Sequence, residues 1–122
     1  MRAAGLHAIE TILSSQAVLI KSIKPKDPAN APLVQMITSR IAGVLAASRY
    51  ILCTYNIHRS KLSAATAITP GRRAPTITAL EDPQWVAVSA MIVRNESADI
   101  MDRLQATGAV DIFTIQLQNC RV

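Results

Sequence analysis

The apolar pattern of this chain changes period at residue 49, and that change limits what the chain can build. Before it, Leu33, Ile37, Ile41, Val44, Leu45 and Ser48 recur at helical spacing and keep one face apolar. The spacing predicts a helix running to residue 48, with Asn30 as its cap and Pro32 in its first turn. After it, Tyr50–Ile57 is rich in β-formers, and Ser60–Ala67 is a short alanine-rich helix stopped by Thr69-Pro70-Gly71. Thr76–Leu80 and Trp85–Val93 read as two strands joined by a turn at Glu81-Asp82-Pro83, together a hairpin. Asn95 is expected to cap a helix that carries Ile100, Met101 and Leu104 and ends at Gly108. Val110–Leu117 alternates Phe113, Ile115 and Leu117 with Thr114, Gln116 and Gln118, which predicts a half-buried strand.

The resulting order, β-α-β-β-α-β over 49–122, predicts an α+β domain with the ferredoxin-like arrangement. Ahead of it, Gly5, Leu6, Ile9, Ile12 and Leu13 predict a helix over 5–13, and Ala17-Val18-Leu19-Ile20 a short strand. Lys24-Pro25-Lys26-Asp27-Pro28-Ala29-Asn30 carries two prolines and three charges, a boundary signal. Three segments follow: 1–24, a helix–strand remnant of another lobe; 25–48, a linker and long connecting helix; and 49–122, a domain. One helix and one strand cannot bury a core alone, so the chain is expected to begin inside a larger protein.

Composition narrows the function classes. Half of the 122 residues are apolar, which excludes intrinsic disorder. The formal charge of +5 favours acidic partners but is spread along the chain rather than blocked. Aromatic residues make up 3% (Trp85, Tyr50, Tyr55, Phe113), too few to stack several bases. Cys53 and Cys120 belong to no CxxC or Cys/His cluster, so they are expected to be reduced thiols of a cytoplasmic protein, with no metal site. The N-terminus lacks a signal-peptide core. Ile41–Tyr55 is interrupted by Ser48 and Arg49, so no membrane span is expected.

Strand parity sorts the side chains. Val86, Val88, Ala90 and Ile92 should face the helices, leaving Ala87, Ser89 and Met91 on the opposite face. Thr54 and Asn56 share one face of the first strand, and Thr76 and Thr78 one face of the second. A sheet face of small polar residues suits a ligand shelf and an oligomer surface equally. Gly71-Arg72-Arg73-Ala74 is the most visible cationic feature, readable as a ligand loop or as a solvated one. His7, on an amphipathic helix, and His58, at a helix start, lack metal-ligand spacing, and Trp85 reads as hairpin packing.

One stretch is specific enough to be recognised. Thr66-Ala67-Ile68-Thr69-Pro70-Gly71-Arg72-Arg73-Ala74-Pro75-Thr76, then Asp82-Pro83-Gln84-Trp85-Val86-Ala87-Val88, then Ile100-Met101-Asp102 and Asn119-Cys120-Arg121-Val122 resemble the C-terminal regulatory domain of the long-form ATP phosphoribosyltransferase family. Met1–Leu6 is similar to the segment after that family's phosphate-binding loop, and Ser15–Ile20 to the returning strand of its catalytic lobe. The resemblance implies an enzyme that condenses ATP with phosphoribosyl pyrophosphate, with magnesium, in the first step of histidine biosynthesis. It implies a regulatory domain that binds L-histidine as feedback inhibitor and packs in threes within a hexamer. The phosphate loop and everything before it are absent here, so this chain has no catalytic residues or cofactor of its own and is not expected to turn over without an N-terminal catalytic lobe. Mapped by motif, the histidine contacts fall on Asn56, Arg72, Thr76, Met91 and Asp111. Asn56 stands where relatives can carry Asp, so it supplies hydrogen bonds but no charge. Asp111 shares parity with Phe113 and Ile115, so its contribution is expected through the backbone.

Two other classes compete with an effector-binding module. RNA-recognition domains share the element order, but they carry aromatics where this chain has Ala87, Ser89 and Met91, and the Lys/Arg-Gly-Phe signature is missing. No nucleic-acid partner is therefore expected. A trimerisation domain without effector binding is the other reading.

Overall fold

The computed structural model describes residues 9–24 and 27–121 and divides the chain into two units, Met1–Asn30 and Ala31–Val122. In the first unit the described residues 9–24 form neither helix nor strand and are exposed. This corrects the expected strand at 17–20 and the described part of the expected helix over 5–13, whose first four residues lie outside the described ones. The physical reason is lack of partners. Ile9, Ile12, Leu13, Val18, Leu19 and Ile20 are all at least 67% exposed. A helix that short is below the length that survives without packing, and a lone strand has no ladder to join.

The second unit contains α1 (Ala31–Arg49), β1 (Tyr50–His58), α2 (Leu62–Ile68), β2 (Thr76–Ala79), β3 (Trp85–Val93), α3 (Ser97–Thr107) and β4 (Val110–Gln116). The four strands make one sheet in the order β2-β3-β1-β4, with every neighbouring pair antiparallel. It is an α+β domain. In β1 and β3 every second residue is buried. Ile51, Cys53, Tyr55 and Ile57 meet Val86, Val88 and Ile92 beneath Ala65 of α2 and Ile100 and Leu104 of α3. Full burial of a side chain such as Ile57 or Leu104 contributes about 1.5–3 kcal/mol. Gly108 closes α3 in the left-handed region at φ 98°, where its N–H reaches Gln105 O at 2.9 Å.

The structure departs from the sequence pattern at α1, at the starts of α2 and α3, and in β4. The stripe Leu33, Ile37, Ile41, Val44 and Leu45 of α1 is exposed, and the face that packs is Gly43, Ala46 and Ala47. Small residues let the helix approach closely enough for Cys120 N to donate to Gly43 O at 3.0 Å. By length and a mean hydropathy of 1.2, α1 could cross a membrane. However, the stretch before Gly43 reaches only about 18 Å at 1.5 Å per residue, short of a ~30 Å hydrocarbon core.

Asn95 is not a helix cap. It lies inside a single 3-10 turn, Arg94–Glu96, whose Arg94 O accepts from Ser97 N where α3 begins. A matching turn, Arg59–Lys61, precedes α2, so that helix starts at Leu62. Phe113 and Ile115 also face away from the helices, each 49% exposed, and Ile112 packs on the core in their place. The β1–β4 register explains this: it slips between Thr54↔Phe113 and Asn56↔Val110, a bulge that moves the following residues to the other face.

Candidate effector site on the open sheet face

The face opposite the helices is built in rows by strand register. Thr78, Ala87 and Asn56 form one row, and Thr76, Ser89, Thr54 and Phe113 the next. Met91, Leu52 and Ile115 form the third. Ser89 and Thr54 join across the central pair, with hydroxyl oxygens 3.0 Å apart. The predicted parity of β3 holds: Val86, Val88, Ala90 and Ile92 are buried, and Ala87, Ser89 and Met91 are half-exposed.

One end of this face is shaped by the loop from Thr69 to Pro75. Thr69 anchors it, as a fully buried polar residue. Its hydroxyl donates to Ala65 O at 3.3 Å, leaving its oxygen to accept from Tyr55 Oη at 2.7 Å. Burial pushes the Tyr55 phenol above its ordinary range; the Thr69 bond works in the other direction. Gly71 then turns the chain at φ 65°. A Cβ there would sit 3.2 Å from Ala74 O, so glycine is required both by the turn and by the close approach. Beyond the turn, the Arg72 guanidinium lies 5.7 Å over the Tyr50 ring. Arg72, Thr76 and Met91 line one groove of about 660 Å³, together with Arg73, Ser89 and Arg121.

The other two expected residues meet elsewhere. Asn56 Nδ2 donates to Asp111 Oδ2 at 2.9 Å, across the bulge between β1 and β4. Asp111 holds φ 51°, a left-handed conformation that Asp tolerates better than most side chains. Here a sequence expectation is corrected: Asp111 engages its partner through the side chain, because the bulge removes it from the simple parity of Phe113 and Ile115. Met91 pairs with Leu52, four residues along β1 from Asn56, whereas Ser89 of the same groove pairs with Thr54, two residues from Asn56 and roughly 7 Å away at 3.4 Å per residue.

The remaining candidates have structural roles. His58 Nδ1 accepts from Ser60 N at 3.3 Å at the start of the turn leading to α2, and its ring meets Trp85 edge-on at 5.8 Å. His7 lies outside the described residues. Cys53, buried, and Cys120, half-buried, are both free; burial raises the Cys53 thiol above its ordinary range. Among the described residues, no three of His, Cys, Asp and Glu gather where a metal ion could be held.

Sequence reasoning missed Arg121 and Thr69 as parts of this end of the sheet. Arg121 is placed by the Cys120–Gly43 backbone bond and by its own donation to Ser39 Oγ at 3.2 Å, contacts between distant segments that no local pattern announces. Thr69 stood within the recognised motif, but only its burial beside Tyr55 shows what it does.

An antiparallel four-stranded sheet, helices packed on one face and a partly cationic face left open define a small α+β domain. Residues 47–119 match the family model described as HisG, C-terminal domain, and the chain belongs to that family. Over 122 residues it is 53% identical to the ATP phosphoribosyltransferase of Yarrowia lipolytica and 52% identical to that of Eremothecium gossypii. The Saccharomyces cerevisiae ATP phosphoribosyltransferase is 48% identical over the same span. All of this chain is covered in each case, but it spans only 40% of each relative's length.

Proposed function

We propose that the domain is the ferredoxin-like, L-histidine-sensing regulatory part of an ATP phosphoribosyltransferase. The whole enzyme would condense ATP with phosphoribosyl pyrophosphate, using magnesium, in the cytoplasm. Its transferase chemistry would belong to an N-terminal catalytic lobe, and this part would report histidine to it. The element order and the strand order β2-β3-β1-β4 support the fold assignment.

The observation that carries the effector reading is the division of one open face into two chemically complementary half-sites. The Arg72 guanidinium suits the effector's carboxylate, with the Thr76 hydroxyl beside it and Met91 offering an apolar contact. Asp111, oriented by Asn56, suits its ammonium or imidazolium. The half-sites would meet between neighbouring copies in a trimer, two of which make a hexamer in the full enzyme. The half-exposed Phe113 and Ile115 on the same face favour such packing, and they equally support a trimerisation domain without an effector.

Calorimetry with L-histidine separates these readings. Binding is expected in the wild-type chain. In Thr76→Val, which removes one hydroxyl at nearly constant shape, it should weaken about two- to tenfold for the loss of one hydrogen bond. No heat and no rise in Tm on a folded, associated sample would leave trimerisation as the function.

A further inference from the structure

The groove that holds Arg72, Thr76 and Met91 contains more positive charge than a free amino acid can use. Arg72 and Arg73 enter it from the Thr69–Pro75 loop and Arg121 from the C-terminal tail, and among the described residues no carboxylate lines it. Among the described residues the one ion pair is Arg103–Asp99 at 3.8 Å, so no carboxylate of a described residue pairs with any of these three guanidiniums. Each is nevertheless placed. Arg72 is held over Tyr50, Arg73 follows it on the loop fixed by Thr69 and Gly71, and Arg121 donates to Ser39 from a tail tied to Gly43 O. The Thr76 and Ser89 hydroxyls add neutral partners, and the volume of about 660 Å³ lies in the range of small-molecule sites.

We propose that this groove binds a ligand carrying two or more linked phosphates, gripped by Arg72, Arg73 and Arg121. Guanidinium is suited to this task because its planar fork meets phosphate oxygens in pairs and stays charged at any working pH. Histidine would offset one of the three charges; a diphosphate brings enough negative charge for all of them. The site goes beyond the histidine reading, because Arg73 and Arg121 have no part in that reading. Arg72 belongs to both, so the two ligands oppose each other, each weakening the other by the same factor. The diphosphate could be the tail of a nucleotide or a free pyrophosphate, which share the chemistry recognised here.

The test titrates the whole chain separately with inorganic pyrophosphate, ADP and inorganic phosphate, following heat at low and high salt. Pyrophosphate is expected to bind about tenfold or more tighter than phosphate, and to weaken as salt rises. ADP tighter than pyrophosphate assigns the nucleotide, and equal binding assigns the bare diphosphate. The double variant Arg73→Gln/Arg121→Gln should lose about tenfold or more in pyrophosphate affinity while still showing a cooperative thermal unfolding transition. The single variants, both at exposed positions, repeat the test with less perturbation. No binding of pyrophosphate or ADP at about 10 mM, phosphate binding as tightly as pyrophosphate, or unchanged affinity in the variants would overturn the proposal.

Discussion

The buried contact between Tyr55 and Thr69 is the hinge between core and site, and a double-mutant cycle tests it. Tyr55 Oη lies 2.7 Å from Thr69 Oγ1, both residues are fully buried, and the Thr69 hydroxyl continues to Ala65 O. Tyr55→Phe deletes the phenol but leaves Thr69 bonded to Ala65, so the cost is about 1 kcal/mol. Thr69→Val strands the phenol in a dry core, which costs about 1–3 kcal/mol. In the double variant no phenol remains to be stranded, so the combined loss is expected to fall short of the sum by about 1 kcal/mol. Thermal and urea unfolding followed by circular dichroism would read this, at about 4–8 °C of Tm per kcal/mol for a domain of this size. Each single variant should also weaken histidine binding, because the loop carrying Arg72 loses its anchor. Additive losses, or a Tyr55→Phe protein as stable as the parent, would show that the hydroxyl pair does not hold the loop.

Gly71→Ala places a Cβ at φ 65° and 3.2 Å from Ala74 O, so it is expected to cost about 1–2 kcal/mol and to weaken histidine binding by moving Arg72; an unchanged Tm and affinity would contradict this. Stability should also fall in alkali. Burial raises the Cys53 thiol and the Tyr55 phenol, so both lose their protons in the unfolded chain first. Their contribution is constant below the unfolded values and is lost as pH climbs above about 9. The urea midpoint measured from pH 7 to pH 10.5 should decline above that point, less steeply in Cys53→Ala, whereas a flat profile would refute the assignment.

What the sequence disclosed and what it withheld follow from the range of the forces involved. Runs of β-forming residues are a local pattern that announced both central strands, and strand parity then placed Val86, Val88, Ala90 and Ile92 on the buried face. The turn at Gly71 and the stop at Gly108 were legible because positive φ selects glycine. The face of β4 was not legible, since one extra residue in the β1–β4 ladder reverses which side chains meet the core, and that residue is defined only by pairing with a distant strand. The packed face of α1 was not legible for a related reason: the apolar stripe runs through Leu33, Ile37 and Ile41, whereas close approach selects Gly43, Ala46 and Ala47. Of the five candidate effector residues, three line one groove and two form a separate hydrogen-bonded pair, a division invisible to motif matching.

That division is the central claim, and sedimentation equilibrium with and without L-histidine tests it most directly. If the effector bridges the Arg72–Thr76 half-site of one copy and the Asp111–Asn56 half-site of another, binding and association are linked. Histidine should then shift the mass towards the trimer or a multiple of it at protein concentrations where the free chain dissociates, and Asp111→Ala should abolish the shift. Histidine binding by a chain that stays monomeric, or an association constant unmoved by saturating histidine, would contradict the account.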